Sequence, residues 1–505
     1  MRAYLMNLPL PIVLLFAAGL AMFVPAIVGS VQDHHNTARV FFYAGILVLV
    51  VAGLIGFAMQ TGRREATARN HLVTLLLAYL WLPLILAIPM DEAVGNTRFI
   101  NVYFDMVSAL TTTGAKVFEV ARLDPAVHLW RGLVGWLGGL MIWITAVAVL
   151  APLNLGGWEV TSEAQVPGQV VIGGAQMRAA LPSERLRRNA LRLTPIYAGL
   201  TLVLAVLLIA SGTPPLVATI HAMSTLATSG ITPLASFEGQ PAGVLGEALI
   251  FLFFIFALSR LSFASGFGVD LPGRLAKDRE IRIALFAVIV VPTLLFARHW
   301  IGALEVDELS DGTAGLTALW GGIFTVLSFL TTTGFVSESW ADARSWSGLP
   351  TPGMILIGLV LMGGGVATTA GGVKLLRVYA LYKHGMREMG KLTHPHSVAN
   401  AGRLGRRIRR EGAYIAWIFF MLFILAMAAT MVALSLTGIG FERAMVLAIA
   451  ALTTTGPLAE VAGEDPISYF LLSDAAKLIL AAAMIVGRME TLVLIALFNP
   501  AFWRN

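Results

Sequence analysis

The sequence predicts an all-α polytopic membrane protein in which one unit of span, short helix, turn and span recurs four times behind two extra N-terminal helices. Three observations predict it. Of 505 residues, 57% are hydrophobic and 13% charged, with a mean hydropathy of +0.80. A soluble chain carries about a quarter charged residues, and a disordered one needs low hydrophobicity and high net charge. Apolar stretches of spanning length follow one another along the sequence, and one Thr-Gly motif returns four times between them. With no cysteine, disulfide scaffolds, thiolate metal sites and cysteine nucleophiles are excluded together.

A transmembrane helix needs about 20 mostly apolar residues. Ten stretches qualify: 8–29, 40–60, 71–90, 128–151, 192–211, 243–266, 281–301, 352–383 (interrupted), 412–437 and 472–497. The first, PLPIVLLFAAGLAMFVPAIVG, has the basic start of a signal peptide at Met1 and Arg2. It has no polar tail with a clean small-x-small cleavage site, and a second span follows closely, so it reads as a retained helix. Residues 1–65 thus hold two N-terminal transmembrane helices. The four repeats occupy 66–155, 186–270, 278–390 and 408–505.

Ten spans put both termini on one face, and the basic residues say which. With a cytoplasmic N-terminus, most of the 35 Lys and Arg fall in cytoplasmic segments, from Arg63 and Arg64 through Arg178 to Arg192 and Arg274 to Arg282, then Lys374 to Arg410 and Arg504. Two, Arg260 and Arg488, lie at membrane depth. The opposite face collects acids, among them Asp91, Glu92, Glu305, Asp307, Glu338, Asp342, Glu460 and Glu464. These are either solvated loops or a surface potential that concentrates cations at an entrance. The stretch GRLGRRIRR, ending at Arg410, would suit nucleic acid on a soluble protein. Here it directly precedes a span, so it reads as a topology signal in contact with membrane lipid headgroups, with no nucleic-acid partner.

The internal repeat carries the most information. SALTTTGAKVFEV at 108–120, STLATSGITPL at 224–234, SFLTTTGFVSESW at 328–340 and AALTTTGPLAEV at 450–461 match one another, around Gly114, Gly230, Gly334 and Gly456. Each follows about ten semi-apolar residues, too few to cross. Irregular backbone survives at membrane depth only where it is buried or lines a watery cavity, and a ring of four such turns can satisfy its carbonyls with a cation, as potassium-selective filters do. Threonine adds a hydroxyl ligand, and glycine permits backbone angles closed to other residues. One TTTG means little; four at matched places are specific. At one register of the four short helices stand Asp105, His221, Thr325 and Leu447. An intramembrane Asp or His is a functional candidate, but since the set is not shared, it reads as structural rather than ion-coordinating.

The eighth span, MILIGLVLMGGGVATTAGGVKLLRVYALYKHG, brackets VATTA between Gly363, Gly364, Gly365 and Gly371, Gly372. Each glycine costs a helix about 1 kcal/mol against alanine. A GxxxG packing face is one reading. The other is an unwound, movable loop beneath the ring, with Thr368 and Thr369 hydroxyls lining a watery cavity and Lys374 at the cytoplasmic mouth. In the last span Arg488 must face protein or water: it either meters cations or latches the loop through its carbonyls, or it snorkels or pairs with Glu490.

At these residues the chain resembles the Trk/Ktr/HKT superfamily of potassium transporters, and within it the TrkH-like pore subunits of bacteria. The resemblance covers the whole chain and rests on the four motifs, on GGGVATTAGGVKLLRV, GMREMGKLTHPHSV and GRME, and on the ending LFNPAFWRN. It implies four pseudo-symmetric membrane-pore-membrane repeats, a homodimer, an intramembrane gating loop and a cytoplasmic nucleotide-binding partner of the TrkA type. It also implies K+ as the transported ion and a multi-pass place in the bacterial inner membrane. By resemblance the filter comprises Thr112, Thr113, Gly114; Thr228, Ser229, Gly230; Thr332, Thr333, Gly334; and Thr454, Thr455, Gly456. The gate is Gly363 to Gly372, opposed by Arg488. Repeat two departs from relatives, with Ala227-Thr-Ser-Gly-Ile where many have Ser-Thr-Gly-Gly, and repeat four has TTTGP where many have an asparagine pair. All four glycines are kept, which within this family favours potassium over sodium.

Three functions compete. The first is uptake of potassium down the membrane potential, worth about 2.3 kcal/mol per charge per 100 mV. The second couples potassium to protons or sodium on the same architecture, with Asp105 and His221 as carriers. The third, an intramembrane enzyme, lacks HExxH, GxSxG and paired carboxylates within a span. A docking platform with a vestigial pore is disfavoured by intact motifs in all repeats. No Walker A or dinucleotide fingerprint occurs, so a nucleotide response needs a partner.

Overall fold

The structure, a computed structural model, describes residues 9–59, 68–151, 182–235, 237, 241–259, 273, 275, 278–303, 312–347, 353–393, 410–463 and 465–490. Outside them lie Arg63, Arg64, Arg178, Arg260, Lys277, most of the basic stretch before Arg410, Glu305, Asp307, Glu464, the end of the last predicted span, and the C-terminal LFNPAFWRN.

Among the described residues there are helices and no strands. Two helices, α1 Leu10–Val31 and α2 His35–Ala58, form an antiparallel hairpin. Gly19 and Gly45 face each other across it, where a side chain on Gly19 would strike Leu49. Then comes α3 Ala68–Val94, the short α4 Phe99–Leu110, and α5 Pro125–Thr145, which runs on as a π-helical segment, Ala146–Leu150. The same sequence of long helix, short helix, turn and helix follows in α6 Pro182–Ala210, α7 Pro215–Ala227, and α8 Gly243–Phe253 with α9 Ile255–Leu258. It recurs in α10 Arg279–Ala303 and α11 Gly312–Leu330, with α12 Trp340–Ser347 leading to α13 Gly353–Met362 and α14 Leu375–Thr393. The last set is α15 Arg410–Ser435, α16 Phe441–Leu452, α17 Leu458–Val461 and α18 Asp474–Met489.

Among the described residues, seven helices are long and apolar enough to cross a membrane: Leu10–Val31, His35–Ala58, Asn70–Val94, Pro125–Leu150, Glu184–Ala210, Arg279–Arg298 and Gly412–Ser435. The other three expected spans differ in form. The sixth is interrupted at Phe254 and ends at Leu258, the eighth breaks after Met362, and the helix of the tenth ends at Met489 with Glu490 as its C-cap. Large apolar side chains such as Leu54, Phe57, Leu202, Phe286 and Leu425 are exposed on the long helices. Apolar surface on this scale is a lipid-facing surface.

The short helices are the interior. Nine of the twelve residues of α4 are buried, as is every residue of α7 from Ile220 to Ala227 and of α16 from Val446 to Leu452. Close approach is built in by small residues on the following helix: a Cβ on Gly138 of α5 would overlap the Leu110 carbonyl oxygen, and one on Gly487 of α18 the Leu452 carbonyl oxygen. These are equivalent positions at the ends of the first and fourth short helices. Ser473 caps α18, its hydroxyl accepting from the Ala476 amide at 3.3 Å.

Candidate functional site

Each short helix ends in the same hydrogen-bonded cap. The amides of Thr113, Ser229, Thr333 and Thr455 donate five residues back to Ser108, Ser224, Ser328 and Ala450, at 2.8, 3.0, 2.9 and 2.8 Å. The preceding amides of Thr112, Thr228, Thr332 and Thr454 donate three residues back, at 2.9, 3.3, 3.0 and 3.2 Å. This is the Schellman pattern, whose left-handed residue is usually glycine. Here it is threonine in all four, with φ of 55°, 52°, 57° and 53°. A β-branched residue in that region costs about 1–2 kcal/mol, and such strain clusters at functional sites.

Threonine brings to that position a hydroxyl that glycine lacks. The Thr112 and Thr454 hydroxyls are buried with no protein partner among the described residues. Thr332 Oγ1 accepts from the Gly371 amide at 2.7 Å, and Thr228 Oγ1 donates to the Ala227 carbonyl at 2.7 Å. The outer hydroxyls of the motifs are engaged otherwise. Thr111 and Thr113 bond each other at 2.8 Å, Thr331 and Thr333 at 3.1 Å, and Thr453 and Thr455 at 3.4 Å. Repeat two has Ala227 in the first place, and Ser229 bonds Ser224 at 3.1 Å instead. Its departure in sequence is thus a swap of hydroxyl partner. The hydroxyl of the third residue of each motif is thus engaged within its own turn.

The four turns meet. A Cβ on Gly114 would overlap the Ser229 carbonyl oxygen, and one on Gly230 the Thr333 carbonyl oxygen. A Cβ on Gly334 would stand 3.0 Å from the Pro457 ring, and the Gly456 amide donates to the Thr113 carbonyl at 2.6 Å. The contacts run from repeat one to two, two to three, three to four, and four back to one, so the turns close a ring in chain order. Gly114, Gly230 and Gly334 have φ of 71°, 64° and 83°. Gly456 does not have a positive φ, contrary to the expectation that each glycine serves backbone freedom. Pro457 takes the chain straight into α17, and Gly456 is small because Ala115 and Gly114 lie against it.

The same-register residues tie these turns to their helices. Asp105 is buried in a bidentate pair with Arg131 of α5, at 2.7 and 2.9 Å. His221 Nε2 lies 2.9 Å from Thr232 Oγ1, and Thr325 Oγ1 accepts from the Ser337 amide at 3.2 Å. Leu447 is buried. In repeat three, Glu247 of α8 holds the outgoing segment, accepting from Ser337 Oγ at 2.8 Å, the Glu338 amide at 2.7 Å and Trp320 Nε1 at 2.7 Å. Sequence reasoning passes over Glu247, although a lone acid in GEALIFLFFIF is a signal for it. The same holds for Lys477, whose ammonium bonds Asn101 Oδ1 at 2.7 Å and the Phe470 carbonyl at 2.9 Å.

Between α13 and α14 the chain is non-helical, and it lies against the ring. Gly363 and Gly372 have φ of 70° and 75°. Besides the bond from its amide to Thr332, Gly371 sits so close to repeat four that a Cβ on it would overlap the Thr453 carbonyl oxygen and the Thr454 hydroxyl. Arg488 Nη1 donates to the Thr369 carbonyl at 2.6 Å. Glu490 pairs with Arg377 at 2.8 Å rather than with Arg488, and the Arg377 guanidinium lies 3.7 Å from the Phe419 ring centre. From below, Glu280 Oε1 accepts from the Val366 amide at 2.7 Å, and the Ala257 carbonyl accepts from Gly365 at 3.0 Å. The Thr368 and Thr369 hydroxyls, expected to line a watery cavity, both donate to backbone carbonyls. They bond the Gly365 carbonyl at 2.7 Å and the Leu226 carbonyl at 3.0 Å, because an unwound loop must satisfy its polar groups within the protein. Lys374 is buried, with a φ of 82°, and its ammonium bonds the Ala370 carbonyl.

Long apolar helices enclosing four short ones, whose ends close an axial ring, define a multi-pass membrane protein of the membrane-pore-membrane class. A family model described as "Cation transport protein", TrkH, matches residues 279–504. The Trk system potassium uptake protein TrkI of Halomonas elongata is 30% identical over 84% of this chain and 80% of its own length. TrkH of Salmonella typhimurium is 29% identical over 98% of both. The crystal structure of the potassium transporter TrkH from Vibrio parahaemolyticus superposes with a TM-score of 0.80, at 25% identity and complete coverage of both chains. The chain belongs to the TrkH family of cation transport proteins, and is a transporter rather than an enzyme.

Proposed function

We propose that this chain takes up potassium across the bacterial inner membrane through the ring, with the loop from Gly363 to Lys374 as its gate. The observation that carries this reading is the left-handed threonine at all four turns. The chain accepts that strain where glycine would be unstrained, and at Thr112 and Thr454 the hydroxyl has no protein partner among the described residues. Hydroxyl and carbonyl oxygens around an axis suit a weakly held, partly dehydrated monovalent cation. The names of the relatives support potassium as that cation. The loop packs directly on Thr332 and Thr454 and is held by Arg488, so moving it opens the path below the ring.

Coupling to protons or sodium is the rival. Its carriers would be Asp105 and His221, yet the first is locked to Arg131 and the second is fully buried against Thr232. Uptake driven by the membrane potential alone is therefore the favoured reading. The remaining parts of the proposal are a homodimer, both termini in the cytoplasm, and regulation by a cytoplasmic TrkA-like nucleotide-binding subunit; they rest on the family and on the basic loops.

The test is rescue of a potassium-uptake-deficient bacterium at low external potassium, with and without a nucleotide-binding subunit, followed by flux in liposomes under an imposed potential. Rescue, and flux that reverses with the potential, is expected. A well-expressed protein that gives no potassium flux under either condition overturns the reading.

A further inference from the structure

Lys116 stands two residues beyond Gly114, just past the first turn of the ring. Its ammonium donates to the Ala235 carbonyl at 3.0 Å and lies 3.3 Å from Glu460 Oε2. Ala235 follows the second turn and Glu460 the fourth. The second and fourth turns also meet directly, since a Cβ on Gly230 would stand 2.9 Å from the Pro457 ring. A single nitrogen thus joins the segments that leave three of the four turns, close beyond the ring in each of those repeats. The Lys116 and Glu460 side chains both reach the surface, at 18% and 36% exposure, so the ammonium has a route to water.

The oxygens that hold it, a carboxylate and a carbonyl, are also what an arriving alkali cation would use. A lysine ammonium is a compact point charge with three donors, and on a short tether it competes at an effective concentration in the millimolar range. Resting on the reading of the ring as the potassium path, we propose that Glu460 and the Ala235 carbonyl form an outer cation site that the Lys116 ammonium occupies, and that entering potassium must displace it. The plain alternative is a part-buried salt bridge that staples α17 and touches no ion.

The two differ in the direction of one measurement. Rubidium and potassium uptake by whole cells expressing the full chain gives the half-saturating concentration. Lys116→Met should lower it by about threefold or more, Lys116→Arg should leave it high, and Lys116→Met with Glu460→Gln should raise it again above the single variant. If a variant no longer transports, the potassium concentration giving half-maximal protection of the purified protein against heat reports the same site and should move the same way. An unchanged or raised value in Lys116→Met, or a double variant as tight as the single one, overturns the proposal. Wild-type protein that takes up no potassium defeats the reading of the ring itself, whereas wild-type uptake with an unchanged Lys116→Met value defeats only this inference.

Discussion

Arg488 and Thr369 are joined by a 2.6 Å hydrogen bond from the guanidinium to a backbone carbonyl 119 residues earlier in the chain. It runs from the last helix to the non-helical loop. Such a charge-assisted bond contributes about 1.5–3 kcal/mol, enough to shift a closed-to-open ratio by about ten- to a hundredfold.

Replacing Arg488 by Ala should therefore raise the maximal rate of potassium uptake, measured as tracer influx at matched protein levels. A protein that reaches the membrane at normal levels but conducts no faster would count against the latch.

Thr332 and Thr454 occupy the same place in two repeats but have different surroundings. Thr332→Val removes the acceptor for the Gly371 amide and leaves a buried N–H unpaired, costing about 1–3 kcal/mol. It should lower the melting temperature and loosen the loop. Thr454→Val removes a hydroxyl with no protein partner among the described residues, so thermal stability should hold or rise while uptake falls. Equal loss of stability in both variants would argue that neither hydroxyl faces the ion.

Gly334 has a φ of 83° and no room beside Pro457. Gly334→Ser should strain one quarter of the ring by about 1–2 kcal/mol and admit sodium. Reversal potentials in mixed potassium and sodium solutions are the measurement, and an unaltered permeability ratio would remove this turn from the filter.

Asp105 and Arg131 are both buried, so breaking the pair by Asp105→Asn should destabilise the protein by about 3–5 kcal/mol. Replacing both partners by apolar residues of similar size should recover much of that loss. If the doubly substituted protein is stable and still takes up potassium without a pH dependence different from wild type, Asp105 is a tie and not a proton carrier.

Much of this is legible in the sequence because the repeat is written in residue types. The four Thr-Gly turns announce themselves, and the glycines from Gly363 to Gly372 mark the break in the eighth span by their density alone. What sequence cannot give is partnership across long separations. Proximity along the chain suggests Glu490 for Arg488, but Glu490 belongs to Arg377, 113 residues away. The hydroxyl swap in repeat two is invisible because it depends on Ser224, five residues upstream and at an equivalent site that holds Ser108 in repeat one. The left-handed threonines escape a sequence reading because propensity assigns that conformation to glycine, and the turn is then read from its glycine instead. Pro457 shows the reverse error: the motif reads as intact, yet the proline sends repeat four into a short helix.

The ring closes in chain order within a single polypeptide. In an assembly of identical subunits, each substitution would be copied around the axis and would change every quadrant at once. Here heredity can edit one quadrant at a time. Repeat two carries Ala227 where the other three carry threonine, and repeat four carries Pro457, without the other repeats having to tolerate the same residue. The ring therefore has no exact symmetry, and each of its four quadrants is open to adjustment by a single mutation.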